Sequence, residues 1–308
     1  MKKTLTFIFN CIFLLALLFA FCFGIVMPQY SGNYQAAMLD KVEKLKSTPG
    51  ERIILIGNSN LAFGLSCEQI EQAIGKPVIN MGLHGGTGNC FNERAALLDV
   101  HEGDLYVICH TNYDDTDEIK NPLLAWITIE NHLELYSLIR PQDWPDMIKA
   151  YPTYLSKCLQ FWRMGDGNEE TNDAYRRSAF NERGDNFYPR PESLGDIDYS
   201  SVYIHHINEA SANRLNELYR KLKEKGADMV IAGYPIPMYE NVPSAQEYDA
   251  LTQELNDALD APVISNLRDY RYDTSYFYDT YAHLTDMGVY VRTNQLIQDL
   301  QGYINISN

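Results

Sequence analysis

Arg52-Ile53-Ile54-Leu55-Ile56-Gly57-Asn58-Ser59-Asn60 is a continuous, largely β-branched run that stops at a turn of small and polar residues. A strand without polar alternation has both faces covered, as parallel strands inside α/β sheets do. Working outward, the unit repeats. A helix is expected at 67–74, a strand at 78–81, a helix at 93–100 and a strand at 105–109; later come a helix at 210–225, a strand at 229–232, a helix at 245–259, a strand at 263–264 and a helix at 286–300. This alternation predicts an α/β fold whose parallel sheet is covered on both faces. The chemistry of such sheets collects beyond the carboxyl ends of the strands. The loops after Ile56, Met81, Cys109, Ala232 and Ile264 are therefore where functional side chains are expected.

Between the third and fourth strands the rhythm fails. Residues from about 115 to 208 form an insertion that contains Trp126, Trp144 and Trp162 together with Tyr136, Tyr151, Tyr154 and Phe161. Its first part, to about 163, reads as helical, and 165–201 reads as a polar loop. Two readings of the aromatics are open: a cap whose rings line a substrate groove, as sugars favour, or a small helical subdomain that buries them.

Residues 5–27 are almost wholly apolar, follow Lys2 and Lys3, and precede any further charge until Asp40. Roughly 23 residues at about 1.5 Å each make about 35 Å of helix, enough to cross a hydrocarbon core of about 30 Å. The flanking lysines predict a cytoplasmic N-terminus and an extracytoplasmic body in the cell membrane. A cleaved signal peptide is the competing reading, but the run ends in bulky Phe21-Cys22-Phe23 rather than small residues. The chain is thus divided into an anchor at 1–31 and a body at 32–308, with a stalk helix expected at 33–47.

A net charge of −16 repels polyphosphate backbones, so nucleic acid is not an expected partner. The six cysteines lack metal-ligand spacing; those beyond the span, Cys67, Cys90, Cys109 and Cys158, read as buried thiols or as one or two disulfides. No metal or cofactor is expected. The glycine-rich stretch 82–88 lacks the Lys-Ser/Thr of a phosphate loop.

Ser59 follows the first strand, and Tyr278-Asp279-Thr280-Tyr281-Ala282-His283 lies just before the last helix. Both segments fall on the same sheet edge. A serine hydroxyl becomes a useful nucleophile when an imidazole takes its proton, and the imidazole needs a carboxylate to fix its tautomer. Ser59, His283 and Asp279 supply that set. His84 and His110, which also follow strands, are the competing bases, and a simple helix cap is the bland alternative for Ser59.

With these residues the chain resembles the SGNH/GDSL hydrolases. Gly57-Asn58-Ser59 matches the serine block, Asn80-Met81-Gly82-Leu83-His84-Gly85-Gly86 the glycine block, and Asp279 with His283 the terminal block, one residue longer than the common Asp-x-x-His. For the third block only His110-Thr111-Asn112-Tyr113 is present. The strings 59–64, 181–185 and 234–237 are similar to a membrane-anchored bacterial branch, with a more distant similarity to the teichoic acid D-alanyl transfer protein and the alginate O-acetylation proteins. The resemblance implies a three-layer flavodoxin-like fold and an esterase or O-acyltransferase acting at the cell envelope. It further implies an oxyanion hole from Ser59, Gly82, Gly85 and Asn112. The implied partners are an acylated envelope polysaccharide or teichoic-type polymer and a membrane-bound acyltransferase. The alternative is a catalytically inactive relative that binds glycan or assists acyl transfer.

Overall fold

In a computed structural model, which describes residues 2–130, 132–164 and 172–307, strand β1 (Ile53–Gly57) is buried from end to end. It lies between β2 (Val78–Asn80) and β3 (Leu105–Cys109), and β4 (Asp228–Ile231) extends the sheet, all strands parallel in the order β2-β1-β3-β4. The two-residue period of the strands splits the core in two. Ile54, Ile56, Ile79, Tyr106, Ile108 and Met229 share one face. Ile53, Leu55, Val78, Leu105, Val107 and Val230 share the other.

The second face is covered by α3 (Ser59–Ala62), α4 (Cys67–Ile74) and α10 (Asp286–Ser307), through Leu61, Ile70, Leu296 and Leu300. The first is covered by α2 (Ala37–Ser47), α5 (Asn89–Ala96), α8 (Glu209–Glu224) and α9 (Ala245–Ala258), through Val42, Phe91, Leu215 and Leu251. At the amino ends of β1 and β3, fully buried Arg52 pairs with Asp104 at 2.7 Å and Asp99 at 2.8 Å, and it donates to the Leu45 and Thr48 carbonyls at the end of α2.

The strand expected at 263–264 is reduced to a single parallel bridge between Val263 and Ile231. It is cut short because Asn266, two residues on, caps the next turn through its side chain. A pair of short parallel strands, β5 (Ile236–Met238) and β6 (Arg271–Asp273), was not expected; prolines 235 and 237 hid it, and Pro237 sits where only two strands meet. All six cysteines are unpaired, and the four beyond the N-terminal apolar stretch are buried.

Helix α1 (Lys2–Phe21) buries none of its residues and continues in a π turn at Cys22–Val26. The stretch Lys2–Val26 is long and apolar enough to cross a membrane. The expected stalk is not free. Val26, Met27 and Tyr30 are already in the core, and α2 packs Ala37, Met38, Val42 and Leu45 into it. The body therefore closes directly on the end of the apolar helix.

Two helices of the insertion, α6 (Pro122–Ile129) and α7 (Trp144–Met164), make that closure. Glu130 accepts from the Gln29 amide at 3.0 Å, the Tyr30 amide at 2.5 Å and the Tyr154 hydroxyl. The ring of Tyr151 stacks on Phe23 at 5.4 Å, and Trp162 meets Phe21 edge-on at 6.2 Å.

Burial raises the Glu130 carboxyl from its ordinary value near 4.5 to about 7, against the lowering effect of its three donors. The folded chain therefore holds a proton that the unfolded chain releases. This contribution to stability is fully present below about pH 4.5 and is lost as pH rises toward about 7. Melting temperatures of the full chain in detergent should show the margin of wild type over Glu130→Gln shrinking across that window; a margin independent of pH would mean that Glu130 is ionised in the fold.

Candidate functional site

The strand order places β2 on one side of β1 and β3 on the other, so a crevice opens where the connections diverge, beyond the carboxyl ends of β1 and β3. Three hydrogen bonds build its floor. The Asn58 side-chain oxygen accepts from the Asn60 amide at 2.9 Å and from Asn60 Nδ2 at 2.8 Å, while Asn58 Nδ2 donates to Thr111 Oγ1 at 2.7 Å. Asn58 thus caps α3 and ties the turn after β1 to the loop after β3. Ser59 is the first residue of α3, half-buried, and its amide has no earlier helical carbonyl to reach. Gly57 is required by close approach, since a Cβ there would lie 2.9 Å from the Cys109 carbonyl.

A cleft of about 330 Å³ is lined by Ser59, His84, Gly85, Thr111, Tyr175 and His283, among others. His283 is buried, and its ring stacks on Phe63 at 4.1 Å and 12°. Its Nδ1–H points to Asp279 Oδ1 at 2.8 Å, with Tyr175 Oη as a further contact at 3.1 Å. Tyr175 also donates to the other Asp279 oxygen at 2.6 Å. These contacts leave Nε2 as the nitrogen for the cleft. Among the described residues no hydrogen bond joins Ser59 to His283, although both line the same space.

Burial alone would push the Asp279 carboxyl up. The hydrogen bond and charge of His283, with the Tyr175 hydroxyl, outweigh it and hold the carboxyl below its ordinary value.

His84 behaves differently from His283. Its Nδ1 accepts from the Gly86 amide at 2.8 Å, so the neutral ring carries its proton on Nε2. Desolvation by the surrounding chain, though the residue keeps an exposed side, and the nearby His283 hold it below its ordinary value. It presents a donor where a base would present a lone pair. His110 is withdrawn altogether, buried with Nε2 2.8 Å from Glu93.

Compared with known proteins, the chain matches no family model, no curated protein and no solved structure. The chemistry has to be read from these side chains.

Ser59, Asp279 and His283 come together at one site, but the expected oxyanion set is only partly there. Gly85 lines the cleft. Gly82 does not, and its amide is already donated to Asn80 Oδ1 at 2.9 Å. Asn112 is also outside the lining; the loop after β3 presents Thr111 instead, and the Asn112 carbonyl is turned to Asn89 Nδ2 at 2.9 Å.

The tryptophan groove is corrected as well, because none of the three rings reaches the cleft. Trp126 is buried among Tyr136, Trp144, Tyr151 and Tyr154 with its N–H on the Met147 carbonyl, and Trp162 lies against Phe21. What the insertion gives the site is its polar part, of which residues 165–171 lie outside the described residues. Tyr175 comes from there, as does buried Arg190, which donates to the Leu284 carbonyl at 2.9 Å and sits 5.1 Å from the Phe63 ring. Neither residue carries a local signal in the sequence. No group of three or more His, Cys, Asp or Glu is arranged for a metal among the described residues.

Removing the Tyr175 hydroxyl takes a donor from the charged form of Asp279. In Tyr175→Phe the Asp279 carboxyl should titrate at higher pH than in wild type, read by carbon NMR of the labelled carboxyl. An unchanged or lower titration would show that the hydroxyl does not support the carboxylate.

Proposed function

We propose that the chain is an extracytoplasmic serine esterase or O-acyltransferase of the SGNH/GDSL type, acting on acyl esters of a cell-envelope glycopolymer. One observation carries the reading: Ser59, at the end of the central strand, shares a cleft with an imidazole whose far nitrogen is held by a half-buried carboxylate. The parallel order β2-β1-β3-β4, continued by the Val263 bridge, supports a flavodoxin-like assignment. The N-terminal apolar helix supports a membrane-anchored enzyme with its body outside.

In this mechanism Ser59 Oγ attacks the ester carbonyl carbon while His283 Nε2 takes its proton. The tetrahedral oxyanion is met by the amides of Ser59 and Gly85 and by the Nε2–H of His84, each such donor being worth about 3 kcal/mol. The C–O bond to the alcohol then breaks, and His283 returns the proton to the leaving oxygen. Asp279 stabilises the imidazolium and fixes its tautomer, and Tyr175 steadies Asp279. Water or a sugar hydroxyl then attacks the acyl-serine.

The absence of a direct Ser59–His283 hydrogen bond favours the second reading, a non-catalytic relative that holds a glycan. Catalytic contacts of this kind also tighten only when substrate binds. Turnover decides between the two. Ser59→Ala should lower kcat/KM on an activated ester by about a thousandfold or more, and adding His283→Ala should cost little further, because the two residues act as one unit. Independent, multiplying losses would count against a shared proton transfer, and no loss in Ser59→Ala would leave the glycan-holding reading. In cells, Ser59→Ala should raise glycan O-acylation if water is the acceptor and lower it if a sugar is.

A further inference from the structure

One wall of the cleft is shared with a second space. Thr111, Tyr281 and Ala282 border both the cleft and a smaller, more enclosed cavity of about 30 Å³. The shared residues lie next to the reacting ones. Ala282 precedes His283, and Thr111 accepts the hydrogen bond of Asn58, the neighbour of Ser59. The far walls are Val202, Tyr234, Ile236, Pro237 and Tyr248. Tyr234, Ile236 and Tyr248 are core residues, so this side has little freedom to retreat.

Size then decides what enters. On the measure by which a cavity of roughly 10–15 Å³ holds one water, this one holds about two such groups. A sugar ring is far too large for it, whereas the open cleft beside Ser59 has room for one. A methyl or ethyl group attached to a carbonyl fits, against Val202, Ile236, Pro237 and tyrosine ring faces. A chain of five or six carbons exceeds that volume and would have to displace Tyr234, Ile236 or Tyr248 on one side or run out past the exposed Ser201 and Tyr203 on the other.

Resting on the ester reading above, we propose that this cavity receives the acyl chain of the substrate and restricts it to a short acyl group of two or three carbons. Attack by Ser59 Oγ on the carbonyl carbon forms the acyl-serine with the short chain in the cavity. The alcohol departs through the open cleft with the proton that His283 took from Ser59. Val202 is the selecting residue open to change, because it is half-buried and lies in a loop rather than in the sheet.

The test is a series of nitrophenyl acetate, butanoate, hexanoate and octanoate on the full chain in detergent, each kcat/KM divided by the reactivity of that ester with hydroxide. The corrected value should fall by about tenfold or more between acetyl and hexanoyl, the order of discrimination that a small pocket gives. Val202→Ala should raise the hexanoyl-to-acetyl ratio, and Val202→Phe should depress butanoyl more than acetyl, with melting curves showing that both variants fold. A flat profile that still depends on Ser59, or ratios unmoved by either variant, overturns the acyl pocket alone. If no ester in the series shows Ser59-dependent turnover, the ester reading falls and this inference falls with it.

Discussion

Arg292, with no exposed surface, donates to the Asn60 carbonyl at 2.6 Å, the Asn60 side-chain oxygen at 2.8 Å and the Gly233 carbonyl at 3.2 Å. A guanidinium is expensive to bury, and here the two terminal nitrogens are met while Nε has no partner among the described residues, so the acceptors of the terminal nitrogens are tightly constrained. The consequence is spatial. Arg292 belongs to α10, the helix that follows His283, and Asn60 belongs to the turn that carries Ser59. The two halves of the proposed catalytic pair, 224 residues apart in sequence, are locked to one another beneath the cleft rather than across it.

Around that lock a second layer fixes the imidazole. Phe63, at the end of α3, stacks on His283 and is approached by Arg190, whose own amide is held by Asp286 at the start of α10. The insertion thereby serves two ends of the molecule. Its aromatic helices grip the end of the N-terminal apolar helix through Glu130 and the Tyr151–Phe23 stack, and its polar segment supplies Tyr175 and Arg190 to the site. The contacts to the apolar helix and those to the cleft are therefore made by one continuous stretch of chain.

What could be read in the sequence was local. The runs 53–57 and 105–109 are apolar without alternation because both faces are covered, and a small turn followed by a helix places a serine at a strand end without reference to anything distant. The terminal Asp279 and His283 are four residues apart and meet within one loop. Tyr175 was not legible, because its partner Asp279 lies 104 residues away and its own surroundings have no period. Gly82 was misassigned for a similar reason: the acceptor that occupies its amide, Asn80 Oδ1, is oriented by Asp185 from the insertion, which accepts from Asn80 Nδ2 at 2.9 Å. The tryptophans were ambiguous because a buried cluster and a sugar platform have the same composition. The stalk was misjudged because an amphipathic helix shows that one face is covered and not by what.

The central claim is that Ser59 is activated by His283. The most direct measurement is mass spectrometry of the full chain after brief exposure to an alkyl fluorophosphonate, with peptide mapping of the adduct. One adduct is expected, on Ser59, formed rapidly in the native protein and lost in His283→Ala. An adduct elsewhere, or labelling of Ser59 at the same rate without His283, would contradict it.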